Sequence, residues 1–201
     1  GGQAIGFAFD GTGYGEDGAV WGGEVMVFDP STYRRAFHLE YVPLPGGEQA
    51  VLNPCRMALA HLARAVGPQE AVRRLSPMMD RTECEMVLRI MDRRRFSPPT
   101  SSAGRLFDAV AALLGVRGRV TYEGQAACEL EARTAPGRAE PYEFGYDGPS
   151  VLVGGIFRGI CADLDAGVEA PVIAARFHAT VAAIIVETCR QLRRQSGLET
   201  V

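Results

Sequence analysis

The first thirty residues carry an apolar pattern that predicts a β-hairpin. One short apolar run extends from Ala4 to Phe9, and a second extends from Ala19 to Phe28. The segment between them, residues 10–18, is unusually rich in glycine. Two apolar runs separated by turn residues are typical of paired strands. The pair Gly22-Gly23 inside the second run indicates a bulge or a close approach of backbones, because glycine weakens a strand interior.

Helical spacing follows in the middle of the chain. The pair Asn53-Pro54 suits a helix start, because asparagine caps free N–H groups and proline fits the first helical position. A second amphipathic helix is indicated by apolar residues at positions i, i+3, i+4 and i+7, namely Cys84, Val87, Leu88 and Met91. Residues 30–98 are therefore predicted to form a mostly helical block between α/β segments.

Helices and short strands alternate in the second half of the chain. A helix with an apolar stripe is predicted after Ser102, followed by an extended piece at residues 119–122 and a helix at residues 124–135. A short strand is predicted at residues 151–156, and the longest helix starts at Pro171. With the hairpin, this order of elements predicts an α/β fold.

Composition and charge exclude several classes of function. Among 201 residues, 21 are basic and 24 are acidic, so the net charge of -3 gives no bulk support for binding nucleic acid or a membrane surface. No CxxC pair occurs among the five cysteines, which argues against a disulfide framework or a cysteine zinc site and favours a cytoplasmic location. No apolar run reaches about 18 residues, so no membrane span is expected.

The glycine-rich segment is the first candidate site. Asp10 ends a strand and is followed by Gly11-Thr12-Gly13-Tyr14-Gly15. Glycines let backbone N–H groups converge on anionic oxygens, and a carboxylate can hold a cation beside them. The alternative is a plain flexible turn, because Asp-Gly is a common turn dipeptide. Glu24, next to the double glycine, either contacts a ligand or faces solvent beside a bulge.

A second candidate site is the helix entrance in Ser101-Ser102-Ala103-Gly104, which is of a type that can bind an anion. Arg105 and Asp108 are three residues apart and share one helix face, where they either meet a nucleotide or form a simple surface ion pair. Glu123 and Gly124 stand at a later helix start and offer a polar group and a close approach. The three histidines are not at metal-pair spacing and are predicted to be structural.

Four segments together carry a family resemblance. They are Asp-Gly-Thr-Gly-Tyr-Gly-Glu-Asp-Gly with Trp-Gly-Gly-Glu (10–24), Leu-Pro-Gly-Gly-Glu-Gln-Ala with Asn-Pro-Cys-Arg-Met-Ala (44–58), Thr-Ser-Ser-Ala-Gly-Arg-Leu-Phe-Asp-Ala-Val-Ala (100–111) and Tyr-Glu-Gly-Gln-Ala-Ala (122–127). In this order they resemble the C-terminal part of the HypF family, the carbamoyltransferases of hydrogenase maturation. That part is similar to the TsaD/Kae threonylcarbamoyl transferases, which have the actin-like, sugar-kinase-like ATPase fold.

The resemblance implies a domain organisation and a reaction. Residues 1–29 are expected to form the glycine-rich hairpin of the TsaD-like domain, residues 30–98 a mostly helical insertion specific to HypF, and residues 99–201 the continuation of the domain. In the family, carbamate from carbamoyl phosphate is adenylated with ATP. This domain then passes the carbamoyl group from carbamoyl-adenylate to the C-terminal cysteine of the partner HypE, for cyanide ligand synthesis.

The resemblance also implies roles for individual residues. Asp10 matches the metal-binding, catalytic aspartate, and Asp108 matches an aspartate that contacts the nucleotide ribose. The predicted nucleotide- and phosphate-binding residues are Gly11, Thr12, Gly13, Tyr14, Gly15, Glu24, Arg105, Asp108, Glu123 and Gly124. Zinc is expected only in a zinc-finger region that this chain does not contain.

Two family motifs are missing, which leads us to expect a piece of a larger protein. An HxxxH metal pair precedes the first strand in the family, and a Gly-Gly-Val-Phe-x-Asn loop follows the long helix. We therefore expect the isolated chain neither to retain a divalent metal tightly nor to transfer carbamoyl. Two alternatives remain open: a sugar-kinase-type phosphotransferase, which needs a general base for a sugar hydroxyl, and a non-catalytic docking module for HypE.

Overall fold

The computed structural model describes residues 2–201, and its N-terminal part is the predicted hairpin. Strand β1 (Ala4–Tyr14) pairs antiparallel with β2 (Val20–Phe28). Strand β1 is longer than predicted, because the glycine-rich segment continues the strand up to Tyr14. Pairing shifts between Phe9 and Gly13, so that residues 10–12 bulge opposite Gly22. A bulge changes the direction of the backbone locally. Residues 10–12 of the first candidate site therefore lie outside the regular pairing of β1 with β2.

The sheet extends further into the middle of the chain than predicted. Strand β3 (Tyr33–Leu39) lies antiparallel to β2 and parallel to β7 (Ser150–Leu152). The first residues of the predicted helical block therefore belong to the central sheet, and its helices begin only at Glu48. Short strands complete the sheet: β4 (Val42–Pro43), β5 (Pro99–Thr100) and β6 (Gly145–Asp147). The order is β4-β5-β2-β3-β7-β6, with β1 on β2.

Helices cover the sheet and bury a shared core. They are α1 (Glu48–Leu52), α2 (Pro54–Val66), α3 (Pro68–Leu75), α4 (Arg81–Met91), α5 (Ala103–Leu113), α6 (Gln125–Ala132), α7 (Gly154–Asp165) and α8 (Ala170–Ser196). Most residues of helix α2 are buried, and the helix packs against α5 and α7. Burial of apolar surface contributes roughly 25 cal/mol per Å² to the free energy of folding, so this core supplies the main stabilisation of the domain. The predicted α/β class is confirmed.

Helix α7 replaces most of the strand predicted at residues 151–156. The strand ends at Leu152 and the helix begins at Gly154. The carboxylate of Glu40 accepts the N–H groups of Val153 at 2.8 Å and Gly154 at 3.1 Å, and so caps the helix from a distant part of the chain. A cap of this kind satisfies N–H groups that the helix itself leaves free. The extended piece predicted at residues 119–122 forms no strand.

Helix α8 is the only described helix that is long and apolar enough to cross a membrane, judged by length and composition alone. A core helix passes the same test. One face of α8, including Ile173, Phe177, Ile184 and Leu192, is buried against the rest of the chain, which is the behaviour of a core helix.

Candidate functional site

The bulge at residues 10–12 and the start of helix α5 are joined by hydrogen bonds from a side chain to the backbone. The Ser102 hydroxyl lies 2.8 Å from the carbonyl oxygen of Asp10 and 2.7 Å from that of Gly11, to which it donates. Its oxygen also accepts the N–H of Arg105 at 3.2 Å and so caps α5. A Cβ added to Gly104 would lie only 2.7 Å from Gly11 Cα. Glycine is therefore required where the helix touches the bulge.

Gly22 completes this close contact from the opposite strand. Its φ of 148° lies in the region that favours glycine, and an added Cβ would approach the Asp10 carbonyl oxygen to 2.4 Å. The close backbone approach predicted from the double glycine is thus present. Neither Ser102 nor Gly104 was singled out individually by the sequence pattern, although the helix entrance that contains them was.

A buried ion pair lies next to the bulge. The side chains of Arg105 and Asp108 are each 2% exposed, and Arg105 Nε is 2.9 Å from Asp108 Oδ2. The contact is not aligned as a hydrogen bond, and Arg105 Nε and Nη1 and Asp108 Oδ2 have no hydrogen-bond partner among residues 2–201. Burial raises the pKa of Asp108 to about 6, against the lowering effect of Arg105. The ion pair is therefore incompletely satisfied.

Glu123 links this ion pair to the bulge. Its Oε1 accepts the hydroxyl of Thr12 at 3.0 Å and lies 3.5 Å from Arg105 Nη2. The same atom lies 2.3 Å from the position that a Cβ of Gly11 would take. The structure thus brings the Asp10 segment, Arg105, Asp108 and Glu123 into one continuous cluster.

Glu24 lies outside this cluster, in the interior. Its carboxylate is 1% exposed and accepts the N–H groups of Gly22 and Gly23 at 2.5 and 2.8 Å. It also accepts the Ser101 hydroxyl and forms an ion pair with Arg35 at 2.8 Å. Glu24 is therefore paired within the chain, where it holds Gly22 and Gly23 of β2.

Four further predicted residues are placed at the edges of the site. The side chain of Tyr14 is 93% exposed. Gly15 packs against the ring of Trp21, where an added Cβ would lie 2.3 Å from Nε1. Gly124 precedes α6 with a φ of 84° and sets the turn that carries Glu123. Gly13 pairs with Trp21 in the ladder. These residues shape the hairpin and the turn around the cluster.

The residues do not form a metal site by themselves. The carboxylate of Asp10 is exposed, and its Oδ1 accepts the N–H of Gly11 at 2.6 Å. Within residues 2–201 no group of three or more His, Cys, Asp or Glu side chains is placed to hold a metal ion. A single carboxylate does not supply the ligand number that divalent ions require.

A cavity of the described structure lies away from this cluster. It has a volume of about 310 Å³, is lined by Glu40, His61 and Arg64 among others, and contains none of the predicted site residues. His61 stacks on Phe157 at 4.6 Å, and burial lowers its pKa to about 3. A neutral, stacked histidine of this kind agrees with the predicted structural role.

Comparison with known proteins places the chain in a family. The family model for "Carbamoyltransferase, Kae1-like Domain, second subdomain" matches residues 6–201. Carbamoyltransferase HypF2 of Cupriavidus necator is 35% identical over 98% of this chain, which spans 27% of that protein. A carbamoyltransferase HypF homolog of the same organism is 37% identical over 98% of this chain, which spans 52% of it.

A solved structure agrees with this assignment. The crystal structure of full-length HypF in the phosphate- and nucleotide-bound form superposes with a TM-score of 0.89 at 38% identity, over 98% of this chain and 26% of that one. The chain therefore spans between about a quarter and a half of the length of these relatives. It belongs to the HypF carbamoyltransferase family, as the second subdomain of the Kae1-like domain.

Proposed function

We propose that this chain supplies one side of the nucleotide site of a carbamoyltransferase with the actin-like, sugar-kinase-like ATPase fold. The site takes carbamoyl-adenylate, made from carbamoyl phosphate and ATP, and the carbamoyl group passes to the C-terminal cysteine of HypE for cyanide ligand synthesis. The observation that carries the proposal is the junction of the Asp10 bulge with helix α5, held by Ser102 and Gly104. A glycine-lined bulge beside a helix start and a buried arginine suits an adenylate phosphate.

The proposed transfer is a substitution at the carbamoyl carbon. The cysteine thiolate of HypE forms the C–S bond while the bond from that carbon to the phosphate oxygen breaks, so AMP leaves with the bonding electrons. Arg105 stabilises the negative charge on the departing phosphate. Burial raises the pKa of the Cys84 and Cys161 thiols, and that of Cys55 to about 11, which makes them poor nucleophiles. These three thiols are therefore not candidates for the nucleophile, which agrees with a nucleophile brought by a partner.

A divalent ion belongs to the proposal only as an external contribution. Asp10 would supply one ligand and other parts of a longer protein the rest, and the ion would neutralise phosphate charge. No step is assigned to it within this chain. The free cysteines, three of them buried, agree with a reducing cytoplasm as the proposed location.

A chimera tests the proposed function. This chain replaces the matching quarter of a full-length HypF, and transfer of labelled carbamoyl from carbamoyl phosphate to HypE is measured with ATP present. We expect the chimera to transfer carbamoyl, and Asp10→Ala and Asp108→Ala to lower the rate by on the order of 100-fold. Arg81→Ala, a change at an exposed surface ion pair, is the matched control and keeps full activity.

Three results would contradict the proposal. A folded chimera that phosphorylates sugars with ATP, without carbamoyl transfer, would identify a sugar-kinase-type enzyme. A folded chimera that binds HypE but transfers nothing, with binding unaffected by Asp10→Ala and Asp108→Ala, would identify a docking module. Carbamoyl transfer by the isolated chain would contradict our expectation that it holds only part of the active site.

A further inference from the structure

Glu123 occupies the place where an anion is expected to bind. Its Oε1 is 3.0 Å from Thr12 Oγ1 and 3.5 Å from Arg105 Nη2, and it lies over the bare face of Gly11. A carboxylate oxygen and a phosphate oxygen carry similar charge and accept the same donors. The donors that suit a phosphate at this bulge are therefore already facing a carboxylate of the chain.

Arg105 is the part of this cluster that most needs another partner. Its side chain is 2% exposed, and its Nε and Nη1 have no hydrogen-bond partner among residues 2–201. The 3.5 Å approach of Glu123 is longer than a good charge-assisted hydrogen bond, which measures about 2.7–2.9 Å. The nitrogen that faces Glu123 is Nη2, and an oxyanion that approached it to about 2.7–2.9 Å would form a stronger charge-assisted contact than Glu123 does.

Glu123 is placed so that it can leave at low cost. Its side chain is 52% exposed, and it lies in the turn before α6, next to Gly124, instead of inside a helix. Contacts of such exposed carboxylates contribute at most about 1 kcal/mol. Arg105 and the bulge, in contrast, are fixed by the capping hydroxyl of Ser102 and by the close contact at Gly104.

We propose that the Glu123 carboxylate is an internal substitute for the ligand anion. When no ligand is bound, it covers the subsite formed by Gly11, Thr12 and Arg105, and a tetrahedral oxyanion displaces it. Glu123 then lowers the affinity for the anion by competing with it, which limits unproductive occupation of the site. In the proposed function, on which the identity of the natural ligand rests, the oxyanion is the phosphate of the adenylate. The competition itself requires only the geometry of the subsite.

The direction in which one substitution changes the affinity for the anion distinguishes this proposal from a direct contact between Glu123 and the ligand. Glu123→Gln retains the size of the side chain and an amide oxygen for Thr12 but removes the charge. Loss of a competitor worth up to about 1 kcal/mol corresponds to anion binding about three- to fivefold tighter. A Glu123 that itself binds ribose or a bound cation would instead give weaker nucleotide binding in the same variant.

The experiment titrates the 201-residue chain with sulfate and, separately, with AMP. Backbone N–H signals of Gly11, Thr12 and Arg105 are followed by NMR, and calorimetry gives the AMP affinity. We expect both ligands to bind about three- to fivefold more tightly to Glu123→Gln than to the unchanged chain. Glu131→Gln, the same charge change at an exposed position on α6, is the matched control and should alter neither affinity.

Each other result overturns the proposal. Weaker binding in Glu123→Gln would make Glu123 a ligand contact, and equal binding would place it outside the subsite. Absence of sulfate and AMP binding in both folded proteins would refute the anion subsite. Failure of the proposed function is seen separately, in the carbamoyl transfer assay, because sulfate competition does not depend on HypE or on the carbamoyl group.

Discussion

Because helix α5 contacts the bulge at Gly104, we predict that Gly104→Ala destabilises the protein, which is the opposite of the usual effect of this substitution in a helix. Replacing glycine by alanine inside a helix ordinarily stabilises a protein by up to about 1 kcal/mol. At Gly104 the new methyl group would lie 2.7 Å from Gly11 Cα and 3.3 Å from the Asp10 carbonyl oxygen. Carbon atoms in contact prefer about 3.5–4.0 Å, so helix and bulge must separate by roughly 1 Å.

The size of the effect follows from what has to move. The opposing atoms are backbone and cannot turn aside as a side chain would, because Ser102 holds them and the residues on either side, Phe9 and Gly13, pair with β2. Overpacking of this type costs about 1–3 kcal/mol, which exceeds the gain in helix propensity. We therefore expect Gly104→Ala to lose about 1 kcal/mol of unfolding free energy, and sulfate affinity to fall about tenfold as the bulge moves away from Arg105.

Gly154→Ala is the matched control. Gly154 also lies in the first turn of a helix, but an added Cβ there would meet only the flexible end of Arg158, at 3.2 Å. It should be neutral or stabilising by up to about 1 kcal/mol. Urea unfolding followed by the fluorescence of the single tryptophan, Trp21 in the hairpin, measures both variants. If Gly104→Ala matches Gly154→Ala in stability and keeps its sulfate affinity, the tight contact is refuted.

Three further predictions concern buried charge. Since burial lowers the pKa of His61 to about 3, only the unfolded state takes up a proton on this histidine between pH 7.5 and 5, and the free energy of unfolding falls by about 2 kcal/mol over that range. In urea unfolding, His61→Phe should lose correspondingly less stability between the same two pH values. An equal loss in this variant would contradict a buried, neutral His61. Asp108, with a pKa raised to about 6, becomes protonated as the pH falls from 7.5 to 5.5 and no longer neutralises the charge of Arg105, so sulfate should bind severalfold more tightly at the lower pH. A folded Asp108→Asn variant that keeps this pH dependence would contradict the role of Asp108. Arg35→Met removes the cation beside the buried Glu24 and should cost about 3–5 kcal/mol in the same unfolding assay, where a loss below about 1 kcal/mol would contradict a paired role.

The elements that sequence reasoning predicted well are those determined by local pattern. The hairpin, α2, α4, α5 and α8 each follow from strand runs, helical spacing or capping residues within the element. Strand β3 was missed because it is determined by tertiary contacts, namely its pairing with β2 on one edge and β7 on the other. Its first residues, Tyr33 and the two arginines after it, are too polar to suggest a central strand. Helix α7 was missed because its cap, Glu40, is 113 residues away.

The candidate site divides along the same line. Asp10 and the glycine segment stand out in the local sequence, and the Ser-Ser-x-Gly entrance of α5 is predicted as a candidate anion site from its own residues. The need for glycine at position 104 depends on which backbone lies opposite, which no local pattern contains. The pairing of Glu24 with Arg35 of β3 and with Ser101 after β5 depends on tertiary contacts and could not be predicted from the double glycine beside it.

The charges of the assembled site lead to a last prediction, about Asp10. The carboxylates of Asp108 and Glu123 lie beside the guanidinium of Arg105, and the exposed carboxylate of Asp10 lies on the adjoining bulge, so an anion meets a site that is negative overall. Asp108 can be neutralised by a proton, because its pKa is raised to about 6, and Glu123 is proposed to be displaced by the anion. The Asp10 carboxylate instead accepts the N–H of Gly11, a donor that an anion at the bulge would use.

Neutralising Asp10 should therefore favour the anion when no divalent ion is present. In buffer with EDTA we expect the folded Asp10→Asn chain to bind sulfate severalfold more tightly than the unchanged chain, because like-charge repulsion is removed. In the full chimera the same variant should transfer carbamoyl poorly, since there the carboxylate is proposed to hold a cation. Sulfate affinity that is unchanged or weaker in Asp10→Asn would show that the Asp10 carboxylate does not face the anion, and the site would then need a different arrangement of charge.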